Sequence, residues 1–379
     1  MRFVVAPDSF KESLTSVEAA AAMAAGIHDV DPAAEVVAVP IADGGEGTVL
    51  ALTSALGGEL RTTTVTGPDG TPVDATWGFV PSTSTAVVEL AEAAGIHLVP
   101  TERRNIWAAG TAGVGELLDH ALDAGAATVI VGLGGSVTND GGLGLLHALG
   151  ARAVDGDGEE VTPDAAGMTR ASRLDTSGLD PGWKGVEVVI AGDVTNTLCG
   201  PTGAAAVFAP QKGATPEDVR PLDEALGRWA QVLADHGDSD LAEVRDTPGA
   251  GAAGGTGAAL LAVLGARMES GADLLLDLVG FPEVCRGADL VLTGEGSVDV
   301  QTGHGKAPAV VAASAAREGV ATVAFAGKVS ASASDLVPEV FRAVVQISDP
   351  VAPVKVSLER GAKNLRVNVA DYIRRETQE

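Results

Sequence analysis

The chain has 379 residues, 46% of them hydrophobic and 20% charged, a balance that excludes disorder and gives enough length for two domains with cores of their own. A net charge of −26 leaves no basic surface for nucleic acid or an anionic membrane, and aromatic residues at 3% are too sparse for a stacking platform. An anionic substrate would have to be met by positive charge gathered locally.

The opening MRFVVAPDSFK reaches Pro7 and Asp8 after a short apolar run, which is not the pattern of a signal peptide. Cys199 and Cys285, 86 positions apart, form neither a disulfide framework nor a zinc spacing. Thr247–Ala266 is uncharged over a membrane-span length, but its TPGAGAAGGTG opening reads as a glycine-rich loop entering a helix. A cytoplasmic protein is expected.

In chain order, short β-branched runs end abruptly in loops of Gly, acid, amide and hydroxyl residues. They are RFVVAPDSFKES (2–13), EVVAVPIADGGEGT (35–48), ATVIVGLGGSVTNDGG (127–142), VEVVIAGDVTN (186–196), DLVLTGEGSVDVQT (289–302) and VATVAFAGK (320–328). Runs such as VIVG and LVLTG are apolar on consecutive positions, as strands buried on both faces are. Ala-rich helical stretches lie between them: 16–26 with a Ser cap, 111–125 and 307–319, each ending at Gly. This alternation predicts an α/β fold with a parallel sheet, whose ligands sit beyond the carboxyl ends of the strands. Residues 61–106 read as antiparallel strands. Residues 151–284 mix a hairpin around VDGDGEE with helices near 216–235 and 255–271. These two segments form a second α/β domain inserted into a discontinuous first one made of 1–60, 107–150 and 285–379.

The chemistry-bearing residues gather at the strand ends. Four of the seven lysines, Lys11, Lys212, Lys306 and Lys328, stand in glycine-rich or strand-end segments, where a compact ammonium suits phosphate oxygens. Carboxylates cluster there too: Asp8, Asp43, Glu46, Asp140, Asp193, Glu295 and Asp299. Asp193 and Glu295, each after an apolar run and a Gly, fit acid–base or magnesium chemistry, whereas Asp8 and Asn139 fit helix caps. GLGGSVTNDGG (132–142) offers backbone N–H groups together with Ser136, Thr138 and Asn139 as an anion nest. A GxxxxGK[ST] loop is absent, and Gly249-Gly251-Gly254 follows RDTP instead of a strand, so the dinucleotide reading fails. DGDGEE (155–160) reads as a hairpin turn before a calcium loop, and His304 is a candidate for substrate contact.

Seven ordered segments resemble the bacterial glycerate kinase family that lacks a P-loop: PDSFKESLTS, ADGGEGT, GLGGSVTNDGG, DVTN, FAPQKGA, GAAGGTGAAL and TGEGSVDVQTGHGKAP. They run from residue 7 to 308. Thr197, where the family usually carries Pro, and His304 depart from the pattern. The resemblance implies ATP- and magnesium-dependent phosphorylation of D-glycerate, at the 2-hydroxyl, on a Rossmann-like domain and a smaller α/β domain with the active site in the cleft. On that basis Asp193, Lys306 and Asp299 are expected to be catalytic, with Asp193 or Glu295 on magnesium. Ser9, Lys11, Asp43, Glu46, Asn196 and Lys212 are expected on glycerate or the γ-phosphate, and Gly134, Gly135, Ser136, Thr138, Asn139, Gly294 and Gly296 on ATP. A product phosphorylated at the 3-hydroxyl, another small hydroxy acid as acceptor, and a non-catalytic organic-acid-binding module are the alternatives. A homo-oligomer is left open.

Overall fold

The computed structural model describes residues 1–42, 44–237, 240–303 and 305–377, so Asp43 and His304 lie outside the described residues. The strands are β1 (Arg2–Val5), β2 (Glu35–Ala38), β3 (Glu59–Thr66), β4 (Pro72–Val80), β5 (Thr85–Glu89), β6 (Thr128–Gly132), β7 (Arg152–Val154), β8 (Arg173–Asp175), β9 (Glu187–Ala191), β10 (Arg267–Glu269), β11 (Leu290–Val298), β12 (Thr322–Val329) and β13 (Ala343–Gln346), of which β1, β5, β6, β9, β11 and β12 form on runs of consecutive apolar residues. They build two main sheets, in keeping with the two α/β domains expected. The first is wholly parallel, in the order β13-β12-β11-β1-β2. The second runs β10-β9-β6-β5-β4-β3, parallel from β10 to β5 and antiparallel from β5 to β3. β7 and β8 pair separately.

The chain divides into two compact units, the first of Met1–Asp43, Leu50–Leu56 and Gly271–Glu379, the second of Gly44–Val49 and Gly57–Ser270. The antiparallel strands expected in 61–106 are β3, β4 and β5, inside the second unit. Residues 107–150, expected with the first domain, belong to the second unit, because β6 is hydrogen-bonded between β5 and β9. The helix Ala112–Asp123 is the crossover that parallel pairing of β5 and β6 requires. The helices Gly271–Leu278 and Phe281–Cys285, expected in the second domain, pack on Ala307–Arg317 in the first unit.

In the first unit the helix Ser16–His28 is capped by Thr15 instead of Ser16: its hydroxyl accepts from Glu18 N (3.2 Å), and Glu18 accepts from Thr15 N (2.9 Å). This helix crosses Gly361–Glu376 so closely that a Cβ at Gly26 would stand 2.5 Å from the Arg366 carbonyl. Phe3, Met23, Ile27, Phe325, Leu365 and Val369 fill one core of this unit, and Val298, Ala312, Ala324 and Phe341 another. The core of the second unit joins Trp77, Leu117, Leu145, Trp229 and Leu260. Among the described residues no helix is long and apolar enough to cross a membrane.

Trp229 ties the second core to the loop after β6. Its indole N–H donates to the Gly141 carbonyl at 2.9 Å, and Gly141 sits at φ +63°, with no room for a Cβ against the ring. Trp229→Phe keeps most of the apolar volume but orphans that carbonyl. The expected loss is ~1–3 kcal/mol of unfolding free energy, read by urea denaturation.

Candidate active site

Parallel pairing fixes where the second unit presents its polar residues. In register, Glu89, Gly132 and Ala191 stand side by side at the carboxyl ends of β5, β6 and β9, with Glu269 of β10 next to Ala191. The segments that follow these strands, together with the turn 44–48, meet without room for side chains. A Cβ on Gly44 (φ +86°) would lie 2.2 Å from the Ala191 carbonyl oxygen, and one on Gly134 would lie 2.7 Å from Gly45 Cα. Glycine is required at both positions by backbone contact, and the contact brings the Glu46 turn, Gly134 and the Asp193 segment together. Glu46 and Asp193 are exposed there.

Glu89 holds the turn in place. Its carboxylate accepts from Val49 N at 2.6 Å and Gly47 N at 3.2 Å, amides at the start of the helix Thr48–Ala55. Burial pushes the Glu89 carboxyl up to about 7 against these two hydrogen bonds, and the charges of Glu92 and Glu46 add to the rise.

The loop 133–142 is organised from inside by two buried ionisable groups. Asp140 accepts from Thr111 N (2.9 Å), Thr111 Oγ1 (2.7 Å), Gly142 N (3.2 Å) and Gly144 N (3.1 Å). The Lys212 ammonium donates to Ser136 Oγ (2.6 Å) and the Thr138 carbonyl (2.7 Å). Lys212 is 2% exposed, so its ammonium faces the loop instead of standing open to a ligand. Burial raises the Asp140 carboxyl and pushes the Lys212 ammonium down to about 7, with the Asp140 charge opposing the latter. The Gly134, Val137, Gly141 and Gly142 amides bond within the protein, to Gly44 O, Ala94 O, Gly254 O and Asp140, so an anion nest here would use the remaining amides and side chains. Both amide atoms of fully buried Asn139 and the Thr138 hydroxyl lack a hydrogen-bond partner among the described residues. Buried polar groups are ordinarily paired, so these atoms keep hydrogen-bonding capacity that the described residues do not use. Asn196 is engaged locally: its amide donates to the Thr202 carbonyl, and its own carbonyl accepts from Gly249 and Gly251. The rejected glycine motif thus has a packing role, with Gly254 (φ +66°) pressed on Thr138 and Asn139.

In the first unit the strand β11 runs on through Val298, so Gly294 and Gly296, expected in a phosphate loop, are strand residues. Their lack of a side chain admits close neighbours: the Phe325 carbonyl at 2.2 Å from an ideal Cβ of Gly294, and Lys11 N at 3.3 Å from that of Gly296. Glu295 accepts from Thr302 Oγ1 (2.7 Å) and faces Lys306 Nζ at 3.8 Å. Burial raises its carboxyl, while Thr302 and the charges of Lys306 and Lys11 pull it back and Asp299 opposes them. Asp299 accepts from Gln301 N (2.8 Å), capping its own turn. Lys306 precedes the helix Ala307–Arg317, adding its charge to a helix N-terminus. Ser9 donates its backbone N–H to Asp8 beside this group.

The candidates therefore fall into two sets. Lys11, Glu295, Asp299 and Lys306 interact within the first unit. Glu46, Gly134, Gly135, Ser136, Thr138, Asn139, Asp193, Asn196 and Lys212 belong to the second. Glu89 and Thr111 escape a reading of the sequence. Glu89 carries the same signal as Asp193, an acid ending an apolar run, but it follows a hairpin and so reads as antiparallel.

The Glu89 carboxyl sits near 7 in the fold, above its ordinary 4.5, so the protonated form is favoured by folding. The stability it contributes is complete below the unfolded value and is lost as pH rises through about 7. Glu89→Gln, fixed neutral, should show a smaller fall in Tm than the native chain between about pH 5 and 8. Parallel Tm curves would remove Glu89 as the titrating group.

The glycerate kinase family model matches residues 3–376. The chain is 43% identical to glycerate kinase of Bacillus subtilis (strain 168) over 371 residues, 98% of this chain and 96% of the relative. It is 45% identical to glycerate 2-kinase of Escherichia coli (strain K12) over 314 residues, 82% of this chain and 81% of the other. The crystal structure of a Salmonella typhimurium LT2 protein named glycerate kinase 2 covers 100% of both chains, with a TM-score of 0.88 at 39% identity. With both units of the fold and every described motif inside the matched span, the chain belongs to the glycerate kinase family and is an enzyme of that family.

Proposed function

We propose that the protein transfers the γ-phosphoryl group of ATP to the 2-hydroxyl of D-glycerate, giving 2-phosphoglycerate and ADP. The observation that carries this reading is the pairing of a partly buried carboxylate with a lysine at a helix N-terminus, Glu295 with Lys306, in a chain of net charge −26. Positive charge placed this selectively suits a transferring phosphoryl. The relative named glycerate 2-kinase supports the 2-hydroxyl as acceptor.

In this mechanism Asp193 accepts the proton of the glycerate hydroxyl as its oxygen bonds to the γ-phosphorus. The bond to the β,γ-bridging oxygen breaks, and ADP leaves. Asp193 suits the role because it is exposed just beyond a strand end. Lys306 balances charge on the transferring group, and Lys11 grips the γ-phosphate or the glycerate carboxylate. Ser136, Thr138 and Asn139 supply polar contacts to phosphate, and Lys212 acts as a positioning residue that holds their loop. Among the described residues there is no cluster of three metal-ligating side chains. Magnesium on a nucleotide needs only one or two carboxylates besides phosphate oxygens. Glu295 fits such an ion: it is a hard oxygen donor, largely buried, whose nearest cation stands beyond hydrogen-bond distance at 3.8 Å. Magnesium held there would neutralise phosphate oxygens. A cytoplasmic location suits this chemistry.

Protein incubated with Mg-ATP and D-glycerate should feed enolase directly, without phosphoglycerate mutase. Phosphoenolpyruvate is the expected product. ADP without phosphoenolpyruvate would move the acceptor to the 3-hydroxyl, and no ADP would end the kinase reading. Asp193→Asn should lower kcat by ~10²–10⁴-fold with an unchanged circular dichroism spectrum. Lys306→Ala should lower kcat and raise the KM for ATP together, and an unaltered KM would take Lys306 away from the nucleotide.

A further inference from the structure

The parallel sheet of the first unit changes direction between β1 and β11: β2 lies to one side of β1, and β11, β12 and β13 follow on the other. In open α/β sheets ligands bind beyond the carboxyl ends of the strands, at such a switch point. A cavity of about 630 Å³ is found there, bounded by the residues after β1, the ends of β11, β12 and β13, and the segment 347–364. That size falls within the ~300–1,000 Å³ usual for small-molecule sites.

Its walls are mostly apolar, with Phe10, Val329, Ile347 and Leu358 among them. Val354 lines the cavity and is 74% exposed, so the mouth of the cavity is apolar too. Glycerate, with three carbons and four oxygens, has no use for such a lining. A flat heterocycle does. Asn364 also lines the cavity, and its side-chain amide has no hydrogen-bond partner among the described residues. An amide offers one donor and one acceptor in a plane, the pairing presented by the amino group and ring nitrogen of adenine. At the rim, Lys11 and Lys328 form no ion pair among the described residues. Lys11 lines the cavity and its charge also bears on Glu295, the partner of Lys306. The cavity and the acid–lysine cluster are thus continuous through Lys11 and through Gly296, the neighbour of Glu295.

We propose that this cavity holds the purine nucleoside of the phosphoryl donor, with the base between Phe10 and the 347–358 segment and the phosphates running past Lys11 toward Glu295 and Lys306. This assignment rests on the reading of ATP as the donor, and it adds where the nucleoside is held and by what chemistry.

Calorimetric titration with ADP, which needs no turnover, tests it. Ser357 faces the cavity from the helix Val354–Glu359, so Ser357→Trp places an indole in the space assigned to the base. ADP affinity should fall at least tenfold and the KM for ATP should rise by a similar factor, with the KM for glycerate unchanged. Equal ADP binding by both proteins, or none by the native chain, would overturn the proposal, even if glycerate is phosphorylated normally. Should Ser357→Trp fail to fold, photolabelling of the native protein with 8-azido-ATP decides. Adducts within residues 343–360 support the site, and adducts confined to other peptides overturn it. Native protein that binds ADP in this cavity but releases no ADP from ATP and glycerate would contradict the kinase reading alone.

Discussion

A carboxylate removed from water is the constraint on which the second unit's strand ends depend. Asp140 has no exposed surface, and an ionised carboxylate in that position costs several kcal/mol unless it is well bonded. Three backbone amides and the Thr111 hydroxyl meet it, and the same hydroxyl accepts from Leu145 N at 2.9 Å. One side chain thereby joins the start of the helix Ala112–Asp123, the turn 140–142 and the start of the helix Leu143–Ala148. Lys212 anchors the other half of the loop through Ser136 and Thr138, and Trp229 holds Gly141. These bonds fix the loop from inside the unit, the preorganisation that the proposed contacts to phosphate would use.

Glycine lets this rigidity reach neighbouring segments. Gly44, Gly134 and Gly254 each stand where a Cβ would strike backbone, so the turn bearing Glu46, the loop after β6 and the helix entry at 252 pack main chain on main chain. Polar side chains then leave these segments from fixed origins. In the first unit the same principle acts on β11, where Gly294 and Gly296 let the sheet and the loop after β1 approach Glu295 from both sides.

Much of this is legible in the sequence. Apolar runs ending in Gly and acid residues locate β1, β2, β6, β9, β11 and β12, and with them Lys11, Asp193, Glu295 and Lys306. Periodicity reports burial, not which sheet a strand joins, so the pairing of β6 with β5 and β9 is not legible. Nor does a glycine-rich stretch announce whether it bends. TGEGSV reads as a loop, yet it continues β11, because its glycines serve close approach instead of a turn. Lys212 is readable as an anion-binding lysine, but its burial depends on contacts made 74 and 76 residues away in the chain. Asn139 reads as a cap, and only the fold exposes it as a buried amide without a partner among the described residues.

Amide hydrogen exchange on the ligand-free native chain tests most directly whether Asp140 organises the loop. The amides of Thr111, Gly142 and Gly144, which bond to Asp140, and of Leu145, which bonds to Thr111, should exchange as slowly as those in the interior of β6, through global opening only. Exchange of these four amides at the rate of an exposed loop would show that the buried carboxylate does not hold the site in place.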